Sequence, residues 1–285
     1  MIVPTDHIVC QMKLHDGFVV VCGGGKLPRM IANEMEAKKK KFILLIIKNS
    51  NSDKSLDKFK NKYVNYGNII SELLILRKNY KNIILAGSLL RPSLKDIKPD
   101  FNTLKILPKL SKVLLKGGDN YLLTFLLEEL ERMKFHVLGV KDIIPNLFNL
   151  NKKTVSQPNQ IDLKDVKKGG KILCTLSTFD IGQSIVIQQG NVLGIEALEG
   201  TDVLIKRIKK LVKKGNKPIL IKLAKQKQDL RVDLPTIGIK TIELCHKSNI
   251  KGIAYSKNKT VLIEKERIIK KMNEYKMFLL GLNDV

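Results

Sequence analysis

Three carboxylates, Glu196, Glu199 and Asp202, fall within seven residues of the chain. They lie where a predicted strand passes into a predicted helix. Mg²⁺ takes oxygen ligands, typically one or two carboxylates together with substrate phosphates, so this spacing suits a metal site. Helix capping is the alternative, because Thr201 and Asp202 both favour a helix N-terminus. On spacing alone, capping is the favoured interpretation.

The segment 229–238 (DLRVDLPTIG) alternates polar and apolar residues. In an extended strand this alternation would place Asp229, Arg231 and Asp233 on one face. Two carboxylates beside a guanidinium suit a site for a metal ion and a phosphate, although a surface ladder of ion pairs fits the pattern equally well. Lys222 and Arg231 are candidates for stabilising charge on phosphate oxygens.

A run of three glycines, Gly23, Gly24 and Gly25, lies between a predicted strand and a predicted helix. Glycines at such a junction let backbone N–H groups approach a phosphate, whose charge the helix N-terminus favours. The run matches neither a dinucleotide fingerprint nor a Walker A loop, so a plain tight turn is about as well supported. Arg91 follows a later strand, at the sheet edge where loops line a ligand crevice. The second half of the chain shows no glycine-rich phosphate loop of its own.

Other reactive residue types offer little chemistry. The four histidines lack metal-ligand spacing, there is no G-x-S-x-G serine, and the four cysteines are scattered without a C-x-x-C pair. Zinc hydrolysis and triad chemistry are therefore poorly supported, and the cysteines are expected to be free thiols in a reducing compartment.

The elements that would position these residues alternate between strand and helix in the first half of the chain. Strands are predicted at 18–22, 42–47, 82–86 and 135–140, and helices at 26–40, 69–78, 104–115 and 121–133. The strands are continuous apolar runs, which indicates burial on both faces and hence a parallel sheet.

The second half follows a different pattern. A hairpin is predicted around residues 184–196, with helices at 202–214, 241–247 and 264–275 and a final strand at 277–282. We therefore predict an α/β protein with a Rossmann-like, parallel-sheet domain at 1–150, a polar linker at 151–159 and a mixed-sheet α/β domain at 160–285.

The net charge of +25 suggests nucleic acid, an anionic membrane surface or a phosphorylated substrate as a partner. Only seven of the 52 basic residues are arginine and the aromatic content is 5%, which argues against nucleic acid. The apolar runs are far shorter than the roughly 20 residues of a membrane helix, and no signal peptide is visible, so a cytoplasmic location is expected. The basic segment 204–214 would suit a bilayer surface, although a helix with its apolar face in the core is favoured.

Six segments in collinear order resemble the LpxI-type UDP-2,3-diacylglucosamine pyrophosphatases of lipid A synthesis. The segments are GGGKLP at 23–28, AGSLLRP at 86–92, LPKLSKVLLKGGDNYLL at 107–123, DIGQS at 180–184, IEALEGTD at 195–202 and RVDLPTIG at 231–238. The last two, in that order, are the most specific. The first 16 residues and the lysine enrichment depart from the family pattern without touching these segments.

The resemblance implies a Mg²⁺-dependent enzyme that cleaves UDP-2,3-diacylglucosamine to UMP and 2,3-diacylglucosamine 1-phosphate, with water attacking the phosphorus on the sugar side. It implies that the lipid is held between two domains and that Asp233 is the essential aspartate. With it we assign Arg231 as a second catalytic residue, and Asp233, Glu196, Glu199 and Asp202 as metal ligands. The assigned substrate-binding residues are Gly23, Gly24, Gly25, Arg91, Lys222 and Thr201.

Because the implied substrate carries two acyl chains, the enzyme is expected to act at the anionic surface of the inner membrane, as a cytoplasmic protein peripheral to that membrane. Nucleic acid is not expected as a partner, and a homo-oligomer is left open. The alternative hypothesis is a non-catalytic nucleotide-sugar binding or regulatory protein.

Overall fold

The computed structural model describes residues 17–89, 97–116, 119–150, 153–226 and 228–283. The chain divides into two compact units, of which the first comprises Met1–Lys112 with Leu126–Leu138 and the second Val113–Phe125 with Gly139–Val285. Each unit contains a five-stranded sheet, one parallel and one mixed, which confirms the predicted fold class.

The sheet of the first unit is parallel throughout, with the strand order β3-β2-β1-β4-β5. Its strands are β1 (Gly17–Cys22), β2 (Phe42–Ile47), β3 (Asn61–Val64), β4 (Tyr80–Ala86) and β5 (His136–Leu138). β1 is buried along its whole length and β2 along nearly all of it, as their apolar sequences require. The apolar pattern does not reveal β3, because this edge strand has the sequence NKYV and buries only Val64.

Four helices lie in the first half of the chain, of which the last two are divided between the two units: α1 (Leu27–Ala37), α2 (Ile69–Leu76), α3 (Phe101–Lys116) and α4 (Asp119–Arg132). All four lie close to the predicted ranges. α1 carries Pro28 in its first turn, where a missing N–H costs no intrahelical hydrogen bond, and it buries Ile31, Ala32 and Met35.

The sheet of the second unit is mixed, with the strand order β12-β10-β8-β6-β7. Its strands are β6 (Ser184–Gln188), β7 (Asn191–Ile195), β8 (Ile219–Lys222), β10 (Gly252–Ser256) and β12 (Phe278–Leu282), while β9 (Thr236–Ile237) and β11 (Val261–Leu262) form a separate parallel pair. β8, β10 and β12 are parallel, and β6 runs antiparallel to both of its neighbours. The predicted hairpin at β6–β7 is confirmed.

The helices of the second unit are α5 (Val140–Ile143), α6 (Gln160–Ser177), α7 (Thr201–Ile208), α8 (Ile239–Lys247) and α9 (Lys265–Glu274). α7 continues only as a short 3₁₀ turn, Lys209–Leu211, so the helix predicted to reach residue 214 ends earlier. Its apolar residues Leu204, Ile205 and Ile208 are fully buried, which agrees with the favoured interpretation of this basic segment as a core-facing helix.

Helix α6 is absent from the predicted elements, because Gly169 and Gly170 interrupt its pattern. Both glycines are buried within the helix. A Cβ at Gly169 would lie 2.8 Å from the Cδ1 atom of Ile221 on β8. The glycines thus let α6 lie close against the sheet, at the cost in helix propensity that glycine carries.

A buried carboxylate on α6 fixes the turn of the β6–β7 hairpin. Asp165 accepts hydrogen bonds from the backbone N–H groups of Gln189 (2.8 Å) and Gly190 (2.7 Å). This turn lies at one end of the strands of the mixed sheet, and the residues of the candidate site lie at the opposite end of these strands.

Candidate functional site

The ends of β7 and β8 bring three polar residues together at one edge of the mixed sheet. Ser184, the first residue of β6, pairs with Lys222, the last residue of β8. The N–H of Glu196, which directly follows β7, donates to the carbonyl of Ser184 (2.8 Å). Because β6 is antiparallel to both neighbours, its start lies beside their carboxyl ends. Ser184, Glu196 and Lys222 are all buried there.

The hydroxyl group of Thr201, at the start of α7, connects these residues. Thr201 Oγ1 donates to Glu196 Oε2 (3.0 Å) and accepts from Lys222 Nζ (3.0 Å). Ser184 Oγ lies 3.1 Å from the same oxygen. Since a hydroxyl has one hydrogen, which Glu196 accepts here, Ser184 must be the donor to Thr201. The oxygen of Thr201 then uses its full hydrogen-bonding capacity.

Lys222 is the cationic centre of this network. Its Nζ donates to Thr201 Oγ1 and to the carbonyl of Thr236 (3.1 Å), so two of its three N–H groups have acceptors among the described residues. Burial lowers the pKa of the Lys222 amine from its ordinary value, and the negative charges of Glu196, Asp202 and Asp233 oppose that change. No carboxylate in the described ranges forms a direct ion pair with Lys222, which leaves its third N–H for an anionic ligand.

Two helix N-termini lie next to Lys222. α7 begins after Gly200 and α8 after Gly238, and neither helix has a side-chain cap. A Cβ at Gly200 would meet nothing within 4 Å, and one at Gly238 would meet only Ile263, at 4.0 Å. Space is therefore available beside both glycines, and the first N–H groups of each helix carry the positive end of the helix dipole.

The first turns of these two helices are close to each other. Lys240 on α8 forms an ion pair with Asp202 on α7 (2.7 Å). Together with Lys222, the two uncapped N-termini form a site suited to phosphate oxygens. As expected from sequence, the second half has no glycine-rich run at these positions, and a single glycine stands directly before each of α7 and α8. Gly200, Gly238, Ser184 and Thr236 lie in the quoted segments but were not assigned to the site from sequence, although a glycine directly before each helix was a usable signal.

The carboxylates assigned as metal ligands have separate partners. Both oxygens of Glu199 are engaged, Oε1 by the guanidinium of Arg207 (2.9 Å) and Oε2 by the N–H of Ala197 (3.1 Å). Glu196 is buried against Thr201, and Asp202 pairs with Lys240. Within the described part of the chain, no three His, Cys, Asp or Glu side chains form a group that could hold a metal ion. The four-carboxylate ligand set is therefore not assembled.

A smaller ligand set still fits the usual chemistry of Mg²⁺. Asp202 and Asp233 both interact electrostatically with Lys222, and Mg²⁺ is commonly held by one or two carboxylates with substrate phosphates completing its coordination. Asp202 and Asp233 are therefore candidates for a metal site of this smaller kind.

The segment predicted as an extended strand is a turn. The N–H groups of Val232 and Asp233 both donate to the carbonyl of Asp229, and the N–H of Arg231 donates to Asp229 Oδ1. The Asp229 side chain thus stabilises the turn, a local bond that competes with strand formation. Its carboxylate also pairs with the Arg231 guanidinium (2.8 Å), whose hydrogen bonds lower the pKa of Asp229.

Asp233 follows this turn and is half-buried. The turn, rather than strand alternation, positions Asp233 and Arg231, and the alternating faces predicted for the segment do not exist.

The backbone groups of Gly23 and Gly24 form hydrogen bonds within the first unit. The N–H of Gly23 donates to Ala86, and Gly24 exchanges both backbone hydrogen bonds with Ser88. A Cβ at Gly23 would lie 2.3 Å from the carbonyl of Ser88, so this glycine is needed for close packing. Gly25, with a φ of 89°, has open space where a Cβ would lie. Arg91 lies outside the described residues.

No helix among the described residues is long and apolar enough to cross a membrane.

The chain matches known proteins along most of its length. The LpxI N-terminal domain family matches residues 18–147, and the LpxI C-terminal domain family matches residues 151–280. A protein named UDP-2,3-diacylglucosamine pyrophosphatase LpxI, from Caulobacter vibrioides, is 30% identical over 273 residues, which cover 93% of this chain and 96% of the relative. The chain therefore belongs to the LpxI family.

Proposed function

We propose that this protein hydrolyses the pyrophosphate bond of UDP-2,3-diacylglucosamine and releases UMP and 2,3-diacylglucosamine 1-phosphate. Family membership and the name of the relative support this reaction. The structural observation that supports it best is the buried Lys222 beside two uncapped helix N-termini, since a diphosphate carries the charge that this site favours.

In the proposed mechanism, Lys222 and the first N–H groups of α7 and α8 bind the non-bridging oxygens of the diphosphate. These donors are in place before substrate binds, so they stabilise the charge that develops as the bond to the leaving group breaks. Thr201 orients Lys222, and Glu196 orients Thr201, through hydrogen bonds of 3.0 Å each.

Asp233 is the proposed catalytic residue, acting on the attacking water at the phosphorus on the sugar side. Its charge already interacts with Lys222, which supports a position near the bound diphosphate. Arg231, held by Asp229, is proposed to stabilise charge on the diphosphate. Asp233 and Asp202 would hold Mg²⁺, which would supply charge neutralisation and a more acidic water.

We further propose that the protein acts at the surface of an anionic membrane. Its substrate carries two acyl chains, and its net charge of +25 favours anionic lipid headgroups.

The test is release of UMP from UDP-2,3-diacylglucosamine by the purified protein. Lys222→Met should reduce the rate about 100-fold or more, in the range found for losing one donor to a developing oxyanion. Lys225→Met is the matched control, because Lys225 lies three residues further on and pairs with Asp180. Thermal unfolding of both variants would show whether they remain folded.

No UMP release by the unsubstituted protein in the presence of Mg²⁺ would refute the proposed reaction and favour the alternative of a non-catalytic nucleotide-sugar binding protein. Equal rates for the two lysine variants would refute the role of Lys222.

A further inference from the structure

A crevice opens at the carboxyl ends of β8, β10 and β12, on the face of the mixed sheet that α6 covers. Its volume is about 540 Å³ with its mouth included, which is within the range of small-ligand sites. Its walls come from the end of α6, the residues before β6, the loop after β8 and the ends of β10 and β12. Leu173, Leu223 and Leu282 are apolar parts of the wall, and Gln183 and Ser256 are polar parts. We call this cavity the α6 crevice.

The α6 crevice adjoins the Lys222 site across the end of the sheet. Lys222, the last residue of β8, bonds with Thr201 of α7, whereas the next residue, Leu223, belongs to the core beneath α6. The same alternation holds at the start of β6, where Ser184 joins the Lys222 network and Gln183 lines the crevice. The carbonyl of Gln183 accepts from the N–H of Leu223 (2.8 Å). Because consecutive Cα atoms are about 3.8 Å apart, one nucleotide can reach both places.

The segment 180–184 (DIGQS) builds this end of the sheet. Asp180 pairs with Lys225 (2.7 Å), which ties the loop before β6 to the loop after β8. Gly182 has a φ of 57°, and a Cβ there would lie 2.1 Å from the carbonyl oxygen of Glu196, so a side chain is excluded at this position. These contacts fix the backbone before Gln183, and the pairing of β6 with β8 fixes it from the following residue onwards. The segment therefore holds Gln183 at the wall of the crevice.

The side chain of Gln183 has an acceptor that the described residues leave unused. Its Oε1 is buried and accepts no hydrogen bond from them. A buried amide oxygen without a donor is unfavourable, and most such atoms have a partner. The torsion that orients the terminal amide of glutamine is soft, so a modest rotation turns the amide towards a ligand in the crevice. It then offers a donor and an acceptor side by side.

We propose that the α6 crevice binds the uracil base of the nucleotide whose diphosphate lies at Lys222, with the Gln183 amide hydrogen-bonded to the imide edge of the base. That edge carries an N–H beside a carbonyl oxygen, which complements the acceptor and donor of an amide. The flat faces of the base suit the leucine side chains of the crevice. The inference rests on the proposed function, since it assigns a position to the base of the proposed substrate.

The experiment compares the binding of UMP and of ribose 5-phosphate to the full chain, measured by isothermal titration calorimetry with Mg²⁺ present. Both ligands contain ribose and phosphate, so the ratio of their dissociation constants isolates the contribution of the base. The unsubstituted protein should bind UMP more tightly by well over tenfold. Gln183→Leu should lower this preference about tenfold and leave the affinity for ribose 5-phosphate unchanged, because only contacts with the base are lost.

Gln160→Leu is the matched control, because Gln160 is exposed at the first turn of α6, at the far end of that helix from the crevice. It should keep the unsubstituted preference for UMP. Gln183→Leu should not unfold at a lower temperature than the unsubstituted protein, since leucine leaves no buried oxygen without a donor. A purely structural role for Gln183 predicts the reverse, namely a lower unfolding temperature with an unchanged preference for UMP.

Equal binding of UMP and ribose 5-phosphate by the unsubstituted protein would overturn the proposal. An unchanged preference in Gln183→Leu would also overturn it and assign the unused oxygen to an ordered water, and an equal loss in Gln160→Leu would remove the role of the crevice.

UMP release from UDP-2,3-diacylglucosamine, measured separately, distinguishes this proposal from the proposed reaction. If the protein releases UMP but shows no preference for the base, the base site is refuted while the reaction stands. If it shows a preference that Gln183→Leu loses but releases no UMP, the base site stands and the proposed reaction fails.

Discussion

Replacing Thr201 by valine should weaken both the fold and the activity, because one hydroxyl group connects three buried side chains. The change preserves side-chain shape and removes the hydrogen bonds with Glu196 (3.0 Å), Lys222 (3.0 Å) and Ser184 (3.1 Å). Hydrogen bonds to charged groups contribute about 1.5–3 kcal/mol each and neutral ones about 1 kcal/mol. The three bonds share one oxygen and do not add independently, so we expect the free energy of unfolding to fall by about 3 kcal/mol.

The same substitution should slow hydrolysis, since Lys222 loses one of its two fixed acceptors. A loss of about 2 kcal/mol in transition-state stabilisation corresponds to a roughly 30-fold lower kcat/KM. Urea unfolding followed by circular dichroism measures the first effect, and UMP release measures the second. Thr201→Ser keeps the hydroxyl group and should stay within about threefold of the unsubstituted rate.

If the valine and serine variants were equally stable and equally active, the hydroxyl network would have no role in holding Lys222. If the valine variant lost stability but kept its rate, the network would be structural only, and Lys222 would not need Thr201 to bind the diphosphate.

Further predictions concern the acids, the metal and the pH dependence of stability. Asp233→Asn should abolish UMP release while the protein stays folded, and retention of more than a few per cent of the rate would refute its catalytic role. Glu199→Gln should change the rate less than about threefold, because Arg207 already engages that carboxylate; a large loss with a raised Mg²⁺ requirement would restore Glu199 as a metal ligand. EDTA should stop the reaction and Mg²⁺ should restore it, whereas full activity in excess EDTA would exclude the proposed metal. The pKa of Lys222 is lower in the folded protein than its ordinary value of 10.5. The unfolded chain therefore binds this proton more tightly than the folded protein does. As pH rises towards 10.5, the free energy of unfolding of the unsubstituted protein should increase relative to that of Lys222→Met, as urea unfolding at several pH values would show.

The positions of buried strands such as β1 and β2 were predictable from sequence, because they are uninterrupted apolar runs, whereas β3, β8 and β9 were not predicted. Helix α6 was not, since Gly169 and Gly170 lower helix propensity while serving close packing against Ile221. A local pattern cannot show that a neighbouring strand requires the absence of a side chain.

The candidate site was predictable in its residue types more than in its contacts. Glu196, Thr201 and Lys222 were all selected from sequence, yet the bonds that join them depend on strand pairing across the mixed sheet. The alternation around Asp233 predicted a strand, but the Asp229 side chain bonds to the nearby N–H of Arg231 and produces a turn instead. The acids were noticed as a set, and the ion pairs of Glu199 with Arg207 and of Asp202 with Lys240 depend on partners that spacing alone does not reveal.

The bond between α6 and the β6–β7 turn has a consequence for local opening of the second unit. Hairpin tips usually exchange their amide hydrogens readily, but Asp165 accepts from the amides of Gln189 and Gly190, which lie 24 and 25 residues away along the chain. Those amides can exchange only when the hairpin separates from the helix. Among the described residues, no side chain of α6 forms a hydrogen bond with the loops that carry Gly200 and Gly238 at the other end of the strands. Amide exchange should therefore be slower at the hairpin tip than at the loops that carry Gly200 and Gly238.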